Sequence, residues 1–118
     1  MSKYHNRRAV YKGMSFDSIG EMNRYKELEL MQMAGVISEL KHAVRFKLLP
    51  AQKGELRNEK GVVYIADFTY KRNGTSVVED YKGKRTDVYI LKRKMMKYFY
   101  GVEILETPGN LKTYKRRK

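Results

Sequence analysis

The chain contains no cysteine and no tryptophan, and only two histidines among its 118 residues. Without cysteine there is no disulfide framework, no thiolate zinc site and no cysteine nucleophile, and His5 and His42 alone cannot build a histidine-rich metal centre. Metal chemistry here falls to carboxylates. No apolar run approaches the roughly 20 residues of a membrane span. Met1 to Lys12 is polar and basic, without the apolar middle of a signal peptide. A cytoplasmic protein with no membrane partner is the expectation. The length allows one domain with a modest core, and 42% hydrophobic residues are enough to fold it.

Acid is scarce as well: 13 Asp and Glu stand against 26 Lys and Arg, a formal charge of +13. Residues 1–12 carry Lys3, Arg7, Arg8 and Lys12 with no acid, and residues 112–118 carry Lys112, Lys115, Arg116, Arg117 and Lys118 with no acid. Those arms suit phosphate contacts, which depend on charge and position; solvated ends kept basic for solubility are the alternative. A third cluster, Lys82, Lys84, Arg85, Lys92, Arg93, Lys94 and Lys97 against Asp87 alone, falls in a stretch that reads as structured. Nucleic acid is therefore the expected partner.

Patterning divides the chain into a basic N-terminal arm with a short hairpin (1–15), a folded domain (16–106) and a basic tail (107–118). The hairpin centres on Lys12-Gly13. A helix opens at Phe16-Asp17-Ser18 and runs through Ala34, with Gly35 past its end and Met22, Tyr25, Leu28, Leu30, Met31 and Met33 as a broad apolar stripe. Strands are expected at 43–49, ending at Pro50, then at 62–70 and 76–82. A second helix spans 87–100, with Val88, Leu91, Met95, Tyr98 and Phe99 on one face and Arg93, Lys94 and Lys97 mostly on the other, and a short strand follows at 102–105.

The turn between the middle strands places two acids together. Arg72-Asn73-Gly74-Thr75 carries the Asn-Gly pair of a two-residue type I′ turn, which fixes the register. Counting away from the turn sets Asp67 opposite Asp80, on one face, with Cβ atoms roughly 4.5–5.5 Å apart, where like charges repel. Alternation puts Lys82 on that face too, and Glu79 and Tyr81 on the other. An exposed patch balanced by Lys82 would account for this. However, Asp67 is embedded in Tyr64-Ile65-Ala66-Asp67-Phe68, where an acid is costly unless paired or metal-bound. Two carboxylates within reach of one hard cation, with an amine beside them, match the needs of a magnesium-dependent phosphodiesterase. Glu21, three residues after Ser18, fits a capping box, and its helix face also allows it to reach a metal at the sheet.

Asp67, then Asp80-Tyr81-Lys82 on the next strand, with Glu21 on the preceding helix, resemble the PD-(D/E)xK signature of the restriction-endonuclease-like superfamily. Over roughly residues 2–105 the chain resembles, more specifically, small phage and prophage proteins of that superfamily that look like archaeal-type Holliday junction resolvases. The resemblance rests on Ser2-Lys3-Tyr4, Phe16-Asp17-Ser18 with Glu21 and Tyr25, Tyr64-Ile65-Ala66-Asp67-Phe68, Val78-Glu79-Asp80-Tyr81-Lys82-Gly83 and Lys92-Arg93-Lys94. Ala66 stands where the motif has proline. The resemblance implies an α/β fold with a restriction-endonuclease-like αβββαβ core, a central mixed sheet flanked by helices. It also implies metal ligation by Glu21, Asp67, Asp80 and the Tyr81 backbone carbonyl, with Lys82 near the attacking water and Mg²⁺, or Mn²⁺ in its place, as the ion.

The expected activity is metal-dependent hydrolysis of DNA, with a four-way junction as the favoured substrate and a bacterial host's cytoplasm as the setting. Glu21, Asp67, Asp80 and Lys82 are the expected catalytic set. Lys84, Arg85 and Thr86 at a helix N-terminus, with Lys92 and the basic arms, are expected to contact DNA. Symmetric cutting would call for a homodimer. A general, flap or nicking endonuclease is one alternative. Others are a non-catalytic DNA-binding protein and an RNA-binding or structural phage protein using its ten tyrosines for stacking or packing.

Overall fold

The computed structural model describes residues 8–111. The expected hairpin is present: β1 (Ala9–Tyr11) and β2 (Met14–Phe16) pair antiparallel across Lys12 and Gly13, both at positive φ (52° and 79°), as a primed turn requires. Its outer strand is tied to the first helix, α1 (Ile19–Met33), through Glu29, which accepts from Tyr11 Oη at 2.7 Å and from Lys12 Nζ at 2.9 Å. Ser18 caps α1, its Oγ accepting from the Glu21 N–H. Ala34 closes the helix, and Gly35 follows in the left-handed region at φ 79°.

The remaining strands are β3 (Ser38–Leu49), β4 (Val62–Arg72), β5 (Thr75–Tyr81) and β6 (Leu105–Thr107), with α2 (Asp87–Tyr100) between the last two. They form one mixed sheet in the order β3-β4-β5-β6, antiparallel except for the parallel β5–β6 pair. After the small hairpin, the element order is thus αβββαβ. The two helices cover opposite faces. Neighbouring residues Val77 and Val78 on β5 point to opposite sides, Val77 into a core with Phe16, Leu28, Phe68 and Tyr70 beneath α1, and Val78 into a core with Tyr64, Ala66, Tyr89 and Met96 beneath α2.

Several boundaries and faces differ from the sequence expectation. β3 begins at Ser38 rather than residue 43, carried by an irregular pairing with β4 between Ser38 and Lys41. The last strand is 105–107 rather than 102–105: Val102 and Ile104 pack into the α2 core, while Leu105, Glu106 and Thr107 pair with Glu79, Asp80 and Tyr81. Thr107, the first residue assigned to the tail, is therefore the last residue of the sheet.

On α1 the buried positions are Glu21, Arg24 and Leu28, whereas Leu30 and Met33 are exposed. On α2 the buried positions are Tyr89 and Met96, and Val88, Leu91, Tyr98 and Phe99 are exposed. In both helices the true inward stripe contains charge, which hydrophobic periodicity counts as an outer face. Arg24 meets Glu79 from α1, and Arg93 meets Glu106 from α2.

Candidate active site

The predicted register of the β4–β5 hairpin is observed. Asn73 and Gly74 have φ of 52° and 77°, and the pairing runs from Arg72↔Thr75 to Phe68↔Glu79. There the backbone pairing stops, one step short of Asp67 and Asp80. Asp67 Oδ2 instead accepts from the backbone N–H of Tyr81 at 2.8 Å, so a carboxylate stands where a sheet carbonyl would ordinarily be.

This follows from a switch of faces in β4. Phe68 and Tyr70 lie in the α1 core, yet Tyr64 and Ala66, of the same parity, lie in the α2 core. β3 switches at the same level: His42 packs on Phe16 and Tyr25, whereas Phe46 packs on Tyr64 and Tyr100. Between the pairs His42↔Phe68 and Val44↔Ala66, Ala43 takes φ 59° opposite Asp67. The strict alternation used to read the sequence therefore breaks at Asp67, and its side chain reaches along the sheet toward β5.

Asp80 is buried. Its Oδ2 accepts from Tyr64 Oη at 2.6 Å and lies 3.5 Å from Lys82 Nζ. Lys82 is in turn seated 4.1 Å over the ring of Tyr89, whose hydroxyl donates to Glu106. Alternation had placed Lys82 with the acids, and it is there. Burial, then hydrogen bonding with Asp80 and the negative charges of Asp80 and Glu21, push the Asp67 carboxyl from its ordinary 3.8 up to about 9, against the Tyr81 N–H. Burial and Asp80 likewise raise Tyr64, which stays a hydrogen-bond donor.

Glu21 is buried at the first turn of α1, and both of its readings have a counterpart in the structure. The Ser18 half of the capping box forms, but the return contact goes one residue further back, Glu21 Oε1 accepting from the Asp17 N–H at 3.3 Å. Oε2 lies 3.4 Å from His42 Nε2. Burial and Asp17 raise the Glu21 pKa while His42 opposes them. Gly20, beside it, leaves room for the Tyr81 ring; a Cβ there would lie 2.5 Å from the Tyr81 hydroxyl oxygen.

The expected phosphate-gripping residues are partly engaged. Thr86 caps α2, its Oγ1 accepting from the Tyr89 N–H, and Arg85, its side chain half exposed, donates from Nε to Glu106 at 2.6 Å. Lys84 is exposed, and Lys92 lies along the outer stripe of α2 beside Val88 and Leu91. Arg8 is held by Asp17 and Ser15 at the hairpin. Lys3, Arg7, Lys112, Lys115, Arg116, Arg117 and Lys118 lie outside the described residues.

Sequence reasoning missed the supports around these groups. Tyr64 and His42 come to the acids only through the switch of faces. Glu106 gathers Arg85, Arg93 and Tyr89, and although burial opposes ionisation, these three donors hold its carboxyl below its ordinary range. On the α1 face Arg24 forks onto Glu79 at 2.6 and 3.0 Å, and Glu79 also accepts from Tyr70 and Thr107. Nothing in linear spacing signals any of these pairs.

The donor set around Asp67 is all carboxylate oxygen, suited to a hard cation. Asp67 and Asp80 fit such an ion as a pair in which it would take the place of the proton that Asp67 otherwise keeps. Glu21 acts on Asp67 through its charge while its oxygens contact Asp17 and His42. Among the described residues, no three Asp, Glu, His or Cys side chains are gathered to hold a metal ion. Among the described residues, no helix is long and apolar enough to cross a membrane. No curated protein matches the chain, and no solved structure does. A family model does match, over residues 1–110, and the chain belongs to that family, described as protein of unknown function (DUF1064).

Proposed function

We propose that this chain is a divalent-cation-dependent DNA endonuclease of the PD-(D/E)xK type, with branched DNA as its favoured substrate. The observation that carries the reading is the Asp67 carboxylate, held in the sheet by the Tyr81 N–H beside Asp80 and Lys82. A four-stranded mixed sheet between two helices, in αβββαβ order, is compatible with a restriction-endonuclease-like core.

Asp67 and Asp80 are the residues to hold Mg²⁺, or Mn²⁺ in its place. The carbonyl of Tyr81, on the side of the strand to which its N–H points, is a further oxygen, and Glu21 is the third acid. When bound, the ion supplies charge neutralisation at a phosphate and a water of lowered pKa. The chain's own groups do the rest. Tyr64 fixes the Asp80 carboxylate through Oδ2, and the Tyr89 ring seats the Lys82 ammonium, which is placed to stabilise charge at a phosphate or orient a water. Arg85, steadied by Glu106 and half exposed, is a candidate to contact a neighbouring phosphate with Lys84. The basic arms add contacts without base recognition. A homodimer would supply the two active sites needed for symmetric cutting.

A non-catalytic DNA-binding role is the second reading, favoured by one observation: Asp67 and Asp80 already have partners in Tyr81, Tyr64 and Lys82. Incubating the full chain with labelled four-way junction, linear duplex, flap and single strand, in Mg²⁺, Mn²⁺ or EDTA, separates the two. Cleavage that needs the cation and is lost in Asp80→Asn is expected. Intact DNA in every lane, with retained binding, would overturn the nuclease reading in favour of the second.

A further inference from the structure

β5 pairs with β4 no further than Phe68↔Glu79, so residues 62–66 of β4 pair with β3 alone, the outer strand of the sheet. Residues 44–49 and 62–66 thus form a two-stranded ribbon, and backbone bonds of 2.9 and 2.7 Å between Gln52 and Glu59 carry the pairing on into the loop. One face of the ribbon is covered, with Phe46, Leu48, Tyr64 and Ala66 in the core beneath α2. Arg45, Lys47 and Ile65 alternate with these residues, so they turn the other way, and all three are exposed. Arg45 stands opposite Ile65, and Lys47 opposite Val63.

The positive charge on this face has no internal counterpart. On the helices and the short hairpin, acids hold many of the cations: Lys12 by Glu29, Arg24 by Glu79, Arg93 by Glu106. By contrast, no Lys or Arg from 41 to 60 forms an ion pair among the described residues. Glu55 and Glu59 are the acids of that stretch, and both lie in the loop, interspersed with the exposed Lys53, Arg57 and Lys60. Cations also guard an edge strand against pairing with another chain. Here the left-handed Glu39 and Ala43, with register shifts at 38–41 and 47–49, already make β3 a poor template, so an added peptide strand fits badly and the guard does not explain Arg45 and Lys47.

We infer that the open face of the β3–β4 ribbon is a contact surface for duplex DNA, with Arg45 and Lys47 on phosphates and Ile65 toward the groove. A two-stranded ribbon is of a width that the major groove of B-form DNA admits, whereas the major groove of duplex RNA is too narrow for side chains to read. A single strand is held by stacking on aromatic rings, and the rings of this ribbon, Phe46 and Tyr64, are turned beneath α2. Ile65 is two residues from Asp67, roughly 7 Å along β4. That a duplex leads from the acids outward over the ribbon rests on the proposed nuclease reading; the contact itself does not.

Amide chemical shifts of the full chain in EDTA, where nothing is cut, test the surface directly. The probes are a short blunt DNA duplex, one of its single strands and hexaglutamate. The duplex is expected to shift Arg45, Lys47 and Ile65, and the other two to shift them less. The double variant Arg45→Gln/Lys47→Gln should bind the duplex about tenfold more weakly, about 1.4 kcal/mol, and lower the slope of log affinity against log salt by about two. Lys71→Gln, which removes a cation paired with Glu39 elsewhere on the sheet, should change neither. Duplex-induced shifts confined to residues outside 40–66, equal shifts with the single strand, larger shifts with hexaglutamate, or an equal loss in Lys71→Gln would each overturn the inference. Cleavage is not read, so a chain that binds here and never cuts keeps this surface and loses the nuclease reading, and cation-dependent cutting with a silent ribbon does the reverse.

Discussion

At Asp67 a carboxylate replaces a carbonyl in the sheet, and its proton links the folded state to pH. Its carboxyl titrates near 3.8 in the unfolded chain and at about 9 in the folded protein. Between those values the unfolded state has lost a proton that the folded state keeps, so the contribution is fully present below pH 4 and is lost as pH rises toward 9. Glu21, raised in the same direction, adds to the slope. In EDTA the melting temperature should therefore fall between about pH 5 and pH 9, and Asp67→Asn should flatten that fall and melt higher at pH 8. Parallel curves for wild type and variant would exclude Asp67 as the titrating group. The nearness of Asp67 to Asp80 is legible in the sequence because Asn73-Gly74 sets a register that the structure keeps as far as Phe68↔Glu79, one step away. The partners Tyr64 and His42 are not, because the left-handed Ala43 and the switch of faces beside it leave no mark in polarity or spacing.

The same contrast holds for the elements. The bounds of α2 are legible from Thr86 and Gly101, which cap it in the extended and left-handed regions respectively. Its inward face is not, because Tyr89, Arg93 and Met96 form a stripe whose middle member is charged and reaches Glu106. On this arrangement Leu91→Lys should change stability by less than about 0.5 kcal/mol, whereas Met96→Ala should cost about 2–5 kcal/mol. Urea titrations of the two variants check the rotation of the helix, and the reverse order would restore the periodic face. α1 repeats the pattern with Arg24. Burial opposes its charge, but the forked contact with Glu79 outweighs that and raises its pKa. Two charged side chains thus stand at the centre of an apolar layer with Leu28 and Phe68 around them, a juxtaposition that only the tertiary meeting of α1 and β5 creates.

For the whole molecule, composition already sets charge apart: +13 overall, with nine of the basic residues at the two ends of the sequence, whereas Glu79, Asp80 and Glu106 are buried in the sheet. The αβββαβ order is legible because the helices carry their own caps and the hairpins their own turns, whereas the place of β6 along β5 is set by packing and is not. The proposed nuclease reading gives this layout a consequence for substrate shape. On that reading the acids stand at the end of β5 beside Lys82, with Lys84 and Arg85 just beyond, and a dimer would double that set of cations. A four-way junction brings several backbones together at an angle, while a linear duplex engages one half of such a dimer fully and gains less from linked sites. Asp80→Asn protein, unable to cut, should bind a junction at least about tenfold tighter than a duplex of equal length, roughly 1.4 kcal/mol. The measurement is a competition gel shift at fixed salt, because on this reading the arms would add binding to any DNA, a share that falls as salt rises. Equal affinity for the two would remove branched DNA as the favoured substrate and leave a general endonuclease.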